Sequence, residues 1–364
     1  MSRAGLTFLT GFPGFIAQRL VASLLAQDGE IRIVALTERK MREQARTAVA
    51  KLGSGRIQLL EGDIRKRRLG LSSEDYERLS AETATAYHLA AIYDLAVRRE
   101  RAQPINVDGT GNVLELCASC ERLERLNYVS TAYVAGTRRG VVYEHELVLG
   151  QGFKNHYEST KFQAELWVRE RMRDIPTTIY RPAIVVGDSK TGETQKFDGP
   201  YYMLRVISLM ERLGLPIPQF GRSEAPFNVV PVDFVVDAMV AAGGDPAAVG
   251  ETLHLVDPEP ISAVKLLTVM SRSYSDREPS LRVPTPLVAE SLRVPAVRRL
   301  FKGAPREGIR YLNHPVRFDT RRADDLLERN GLHCPRFEQY ADAIVRFFRE
   351  HEDDSAYSPP PPGV

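Results

Sequence analysis

The chain has 364 residues, 43% of them hydrophobic, which is enough for one large α/β unit with a smaller one appended and rules out a disulfide-stapled mini-protein. Lys+Arg 49 against Asp+Glu 47 leaves a net charge of +2, which offers no field for nucleic acid and points to a small-molecule substrate. Three cysteines cannot close a disulfide set, and Cys117 and Cys120 have no second ligand pair nearby, so reduced thiols and no metal are expected.

In chain order, the apolar run at residues 6–9 leads into Thr10-Gly11-Phe12-Pro13-Gly14-Phe15-Ile16-Ala17 and then a helix-compatible stretch. Strand, glycine turn and helix form a dinucleotide-binding loop: Gly11 takes a backbone conformation closed to other residues, and Gly14 lets the main chain approach a pyrophosphate. Phe15 and Ile16 open the helix, whose free N–H groups and positive dipole end face the phosphates, and small Ala17 lets it pack on the strand. So early a core strand leaves no room for a leader peptide, and no apolar run is long enough to span a bilayer, so a cytoplasmic location is expected.

Residues 31–36 read as a second strand, ending at Thr37-Glu38-Arg39-Lys40. An acidic residue at that tip suits the 2′-hydroxyl of NAD and a cation the 2′-phosphate of NADP; Arg39 and Lys40 favour NADP, while Glu38 keeps NAD open. Residues 56–64 form a third strand ending in Asp63-Ile64, and residues 84–91 a fourth, with His88 read as a core imidazole ahead of Ala90 and Ala91. A fifth strand, residues 126–131, ends in the hydroxyls of Ser130 and Thr131. On a helix over residues 155–166, Tyr157 and Lys161 lie one turn apart on one face. Strands alternating with helices predict a doubly wound parallel sheet of Rossmann type.

Residues 1–187, with returning segments near 227–257, are assigned to the dinucleotide-binding domain. Residues 188–226, punctuated by Gly and Pro, and 258–351, mainly helical, make a smaller substrate-binding region; residues 352–364 read as a disordered tail. Phe197, Tyr201, Tyr202, Met203 and Leu204 have the composition of an apolar pocket wall. The stretch 284–311 carries Arg293, Arg298, Arg299, Lys302, Arg306 and Arg310, either a solvated cap or a cationic rim for the phosphates of coenzyme A or a pantetheine arm.

Hydride transfer to a carbonyl builds negative charge on oxygen, so a site for it needs a proton and hydrogen-bond donors there. A tyrosine is a reluctant acid or base at neutral pH, and an ammonium one turn away favours its phenolate. Tyr157 and Lys161 supply that pair, and a hydroxyl from the fifth strand orients the carbonyl.

Residues 10–17, Asp63-Ile64, residues 88–91 and 106–110, Ser130-Thr131, the Tyr157/Lys161 pair and Arg181-Pro182-Ala183 together resemble the extended short-chain dehydrogenase/reductase family, over residues 6–256. Residues 157–165 and 187–192 are similar to its fatty-acyl and thioester reductase branch; Pro13 within the turn and Ala17 for the last glycine depart from the commoner motif. The resemblance implies Thr131, with Ser130 as the fallback, to orient the carbonyl, Tyr157 to move the proton and Lys161 to hold the nicotinamide ribose. It further implies Asp63 and Ile64 beside the adenine, and Ala90, Ala91, Pro182, Ala183 and Ile184 along the cofactor cleft. Asn106 either supports a relay water or caps a helix. The expected activity is an NADP-preferring reduction of a hydrophobic carbonyl, most plausibly an acyl thioester on coenzyme A or an acyl carrier protein taken to the aldehyde, with a homodimer admitted. The alternatives are a hydroxysteroid-like or sugar-nucleotide dehydrogenase or epimerase with the same Thr-Tyr-Lys site, and a non-catalytic dinucleotide-binding regulator.

Overall fold

The computed structural model describes residues 5–220, 225–284, 290 and 306–358. Strand β1, Leu6–Thr10, is buried along its whole length, because a parallel strand covered by helices meets side chains on both faces and has no polar alternation to keep. The first half of the chain alternates: α1 (Phe15–Gln27), β2 (Arg32–Thr37), α2 (Arg42–Leu52), β3 (Ile57–Glu61), α3 (Ser73–Glu82), β4 (Thr83–His88) and α4 (Gly109–Ser119). Then come β5 (Arg125–Val129), α5 (His156–Arg171), β6 (Thr177–Pro182), α6 (Tyr201–Arg212), α7 (Val232–Gly244), β7 (Thr252–Leu255), α8 (Ala263–Ser275), α9 (Arg321–Glu328) and α10 (Phe337–His351). The seven strands form one sheet in the order β7-β6-β5-β4-β1-β2-β3, parallel at every pairing. The order reverses between β1 and β4, the crevice where open α/β sheets bind ligands. Thr10 stands there in register with Leu36 on one side and His88 on the other.

Helix α5 starts where Asn155 accepts the Glu158 N–H at 2.9 Å, a cap that satisfies one orphan donor of the first turn. Its inward face buries Glu158, Lys161 and Glu165 beside Thr160, Ala164 and Val168. Buried charge is tolerated only when paired, and Glu165 meets Arg181 of β6 at 2.6 Å and Arg169 of its own helix at 3.0 Å. Desolvation pushes the Glu165 carboxyl up, but Arg181, Arg169 and the Ser130 hydroxyl outweigh it and leave it at about 2.

Helices α6, α8 and α10 pack on one another and join the apolar cluster that also contains Leu9, Leu20 and Ala35 of the β1–α1–β2 unit. Phe197 lies fully buried at their centre, with ring centroids 4.9 Å from Phe348 and 5.1 Å from Tyr357. The Phe197 N–H donates to the Tyr357 carbonyl at 2.8 Å. The expectation of a disordered tail from residue 352 is therefore corrected for residues 352–358: Tyr357 fills a place in the aromatic cluster, which the proline run after it does not reveal. Residues 359–364 lie outside the described residues. Among the described residues no helix is long and apolar enough to cross a membrane.

Candidate active site

The turn after β1 is built as its spacing requires. Gly11 has φ +91°, and a Cβ there would stand 2.8 Å from the Ala90 nitrogen. A Cβ on Gly14 would meet the Gly11 carbonyl oxygen at 2.7 Å, the atom its own N–H bonds at 2.7 Å. Gly14 is the N-cap of α1, and with no side chain capping it the first-turn N–H groups stay open to a ligand. The segment 187–195 supports this loop from outside, since Arg19 of α1 pairs with Asp188 at 3.1 Å and Gln195 donates to the Pro13 carbonyl at 3.4 Å.

One cavity of about 1580 Å³ runs past this loop. Gly11, Gly14, Phe15, Ile16, Ile64, Ala90, Ala91, Pro182, Ala183 and Ile184 line it together with Thr131, Tyr157 and Lys161. A dinucleotide fits these residues: close backbone approach, an uncapped helix terminus and small residues on the flanking strands converge on one space. Two cofactor positions differ from expectation. Asp63 is not in the wall; its carboxylate holds Arg65 at 2.8 Å. Nor is Arg39, whose side chain is 89% exposed. Instead Glu38, Lys40 and Arg65 line the cavity, with Lys40 paired to Glu38 at 2.6 Å. Arg65 was missed, and its only signal was a cation just after the third strand.

At the centre, Thr131 accepts the Tyr133 N–H at 3.3 Å, and Thr131 and Tyr157 line the same space. Ser130, the fallback, has its hydroxyl committed to Glu165 at 2.6 Å in the buried network behind the site. Lys161 donates to the Val129 carbonyl at 2.8 Å and to Tyr128 Oη at 3.1 Å. Tyr157 keeps part of its surface on the cavity, yet the protein around it excludes enough water to push the phenol up to about 12, with the nearby Thr131 hydroxyl pulling the other way. Desolvation also pushes the Lys161 ammonium down to about 7, opposed by the charge of Glu165. The expected depression of the phenol by the lysine is thus reversed here: burial dominates, and the ammonium is turned to β5. Asn106 caps no helix; it sits inside a helical turn, accepts the Ile92 N–H at 2.8 Å and donates to Thr160 Oγ1 at 3.0 Å.

On the substrate side the aromatic run divides. Tyr202 and Met203 line the cavity with Val206, Phe220, Phe227 and Leu312, whereas Phe197, Tyr201 and Leu204 are buried in the core. Sequence reasoning missed Tyr93, whose ring meets that of Tyr157 edge-on at 5.2 Å. Of the basic stretch, Arg310 donates to the Lys154 carbonyl at 2.8 Å; Arg293, Arg298, Arg299, Lys302 and the Arg306 side chain lie outside the described residues.

Comparison with known proteins agrees with this geometry. The family model described as male sterility protein matches residues 9–239. The non-canonical nonribosomal peptide synthetase FrzA of Cladobotryum sp is 29% identical over 276 residues, which are 70% of this chain and 26% of that protein. The aldehyde reductase lnaA of Aspergillus flavus is 29% identical over 282 residues, again 70% of this chain and 26% of the other. The chain thus spans about a quarter of the length of these relatives. The crystal structure of the terminal R domain from the myxalamid PKS-NRPS biosynthetic pathway superposes with a TM-score of 0.81 at 25% identity, covering 98% of this chain and 93% of that one. The glycine loop, the Thr131, Tyr157 and Lys161 cluster and these likenesses together place the chain in the male sterility protein family, among the extended short-chain dehydrogenases/reductases.

Proposed function

We propose that the protein reduces a hydrophobic acyl thioester to the aldehyde, with NADPH as the preferred reductant. The observation that carries this reading is a shared cavity, in which the glycine loop, Tyr157 with Thr131, and the apolar wall of Met203, Val206, Phe220, Phe227 and Leu312 face one space. The naming of relatives as an aldehyde reductase and as a terminal R domain supports it, and points to a thioester on coenzyme A or a carrier protein. Gly11, Gly14, Phe15 and Ile16 would hold the pyrophosphate, Ile64, Ala90, Ala91, Pro182 and Ile184 the flanking rings, and Lys40 with Arg65 the 2′-phosphate. When bound, the reduced nicotinamide supplies the hydride that the protein lacks.

Tyr157, kept protonated by burial, donates to the carbonyl oxygen as negative charge grows on it, and the Thr131 hydroxyl holds the same oxygen. Lys161 stands behind as the nearby cation. Collapse of the resulting hemithioacetal re-forms the carbonyl and breaks the carbon–sulfur bond, and the departing thiolate takes up a proton. In balance, thioester, reduced nicotinamide and one proton become aldehyde, thiol and oxidised nicotinamide.

A panel of acyl-CoAs, ketones and nucleotide sugars, followed by loss of reduced-nicotinamide absorbance, tests this. Each methylene buried against the apolar wall contributes about 0.8 kcal/mol, so kcat/KM should rise roughly fourfold per added carbon until the wall is covered. Tyr157→Phe should lower turnover about 10²–10⁴-fold while the protein still binds NADPH. Turnover confined to a nucleotide sugar would reject the acyl reading and favour an epimerase or dehydrogenase at the same site.

A further inference from the structure

Glu158 holds a fully buried carboxylate in the first turn of α5, next to Tyr157, and the proposed chemistry gives it no role. Both of its oxygens are engaged. Oε2 accepts the Lys154 N–H at 2.9 Å, and Oε1 accepts the Lys154 ammonium at 2.8 Å and the Tyr311 phenol at 2.6 Å. Asn155 uses its Oδ1 to cap the helix on the Glu158 N–H, so its amide nitrogen is the group that donates to Tyr311 Oη at 2.9 Å. The phenol oxygen therefore accepts from Asn155 and directs its one proton at Glu158. Lys154, itself buried, also donates to the Gly136 carbonyl and stands 4.9 Å from the centre of the Tyr311 ring. Tyr311 comes from the segment 306–312, which Arg310 ties to the Lys154 carbonyl at 2.8 Å. The Tyr311 ring meets that of Tyr133 edge-on at 5.1 Å, and the Tyr133 N–H is the group that Thr131 Oγ1 accepts. Both rings line the cavity, as does Leu312.

We propose that Glu158 and Tyr311 are positioning residues for the reactive pair: their cluster with Lys154 fixes the helix turn that carries Tyr157 against the turn that presents Thr131, and ties both to the substrate wall. Three segments of chain meet there. Asn155 and Glu158 belong to the start of the helix that holds Tyr157, Gly136 ends the turn whose N-cap is Thr131, and Tyr311 directly precedes Leu312 of the apolar wall. A buried carboxylate is tolerated only while its partners stay in place, so the cluster opposes any sliding of the three segments past one another. Proton donation and oxyanion stabilisation both depend on donors held at a fixed place before the reaction begins. The Tyr311 ring lines the cavity, but its hydroxyl points to Glu158 and acts through it. The inference rests on the reading of Tyr157 and Thr131 as the reactive pair.

The test is steady-state kinetics of the full chain with acyl-CoA and NADPH, with folding followed by Tm. Tyr311→Phe keeps the ring and leaves Glu158 paired with Lys154, so the variant should fold. A loosened reactive pair should lower kcat about tenfold while the KM for acyl-CoA and for NADPH stays within about twofold. Glu158→Gln, of the same shape without the charge, should show the same split between kcat and KM. The double variant should lose no more than the worse of the two single ones, because the hydroxyl acts through the carboxylate. If one single variant does not fold, the other carries the test through the same split. Wild-type kcat in a folded variant, a loss confined to KM, or losses that multiply in the double variant would overturn the proposal. Undiminished turnover in Tyr157→Phe would instead overturn the site reading beneath it.

Discussion

Arg39 and Arg65 show how little separates a binding cation from a surface one. Both are charged residues just past a strand end, and only the tertiary structure says which of them lines the cavity. Arg65 does so while bonded twice to Asp63, at 2.8 Å through each oxygen. That pairing keeps the guanidinium fixed in place and holds the Asp63 carboxyl below its usual range. A preorganised guanidinium is suited to a phosphate. Arg65→Ala should raise the KM for NADPH about tenfold or more and that for NADH little. Arg39→Ala should leave both within about twofold. Steady-state kinetics with the two cofactors checks this, and equal losses for both in Arg65→Ala would remove the 2′-phosphate assignment.

The segment between β6 and α6, continued by α6 itself, is where composition and placement part company. Its aromatic residues were legible as apolar surface that must be covered, but composition cannot say by what. Phe197 and Tyr201 are covered by α10 and by Tyr357 near the chain end, Tyr202 and Met203 by the cavity. Phe197→Ala should cost about 3–5 kcal/mol of stability, because a fully buried ring leaves a hole that three packed elements cannot fill. Tyr202→Ala should move the acyl-CoA KM more than the Tm. Denaturant unfolding and substrate kinetics on both variants separate the two roles. Comparable loss of stability in both would mean that the wall of the cavity is also the core.

Over the whole molecule, buried titratable groups set a direction for acid stability. His88 and His254 are held at about 3 by desolvation, with Lys161 and Arg181 respectively adding to it, and Glu165 at about 2. Each has a folded pKa below its unfolded one, so its contribution is present above the unfolded value and is lost as pH falls toward the folded one. For the histidines that window runs from 6.5 down to about 3, and for Glu165 from 4.5 down to about 2. Glu144 has the opposite sign: burial, outweighing the N–H groups of His254, Arg322 and Ala323, pushes it up to about 7, so acid favours the fold until its unfolded value of 4.5 is passed. Tm should therefore decline gently from pH 7 to about 4.5, where the contributions oppose, and steeply below, where that of Glu144 has levelled off and the histidines and Glu165 act together. Glu144→Gln should steepen the upper part, and calorimetry across that range checks both.

The sequence by itself determined the winding of the sheet, the glycine turn and the identity of the Tyr157/Lys161 pair, because strand period, turn chemistry and a one-turn helical spacing are local properties. It left Ser130 and Thr131 interchangeable, since adjacent hydroxyls at a strand end differ only in which side of the sheet they meet. The tertiary structure separates their surroundings by committing the Ser130 hydroxyl to Glu165, with Arg181 behind it. The same holds for Arg65, for Tyr93 against Tyr157, and for Tyr357 on Phe197. Each joins residues far apart in the chain, and their meeting depends on which strands lie side by side, which no spacing along a single chain encodes.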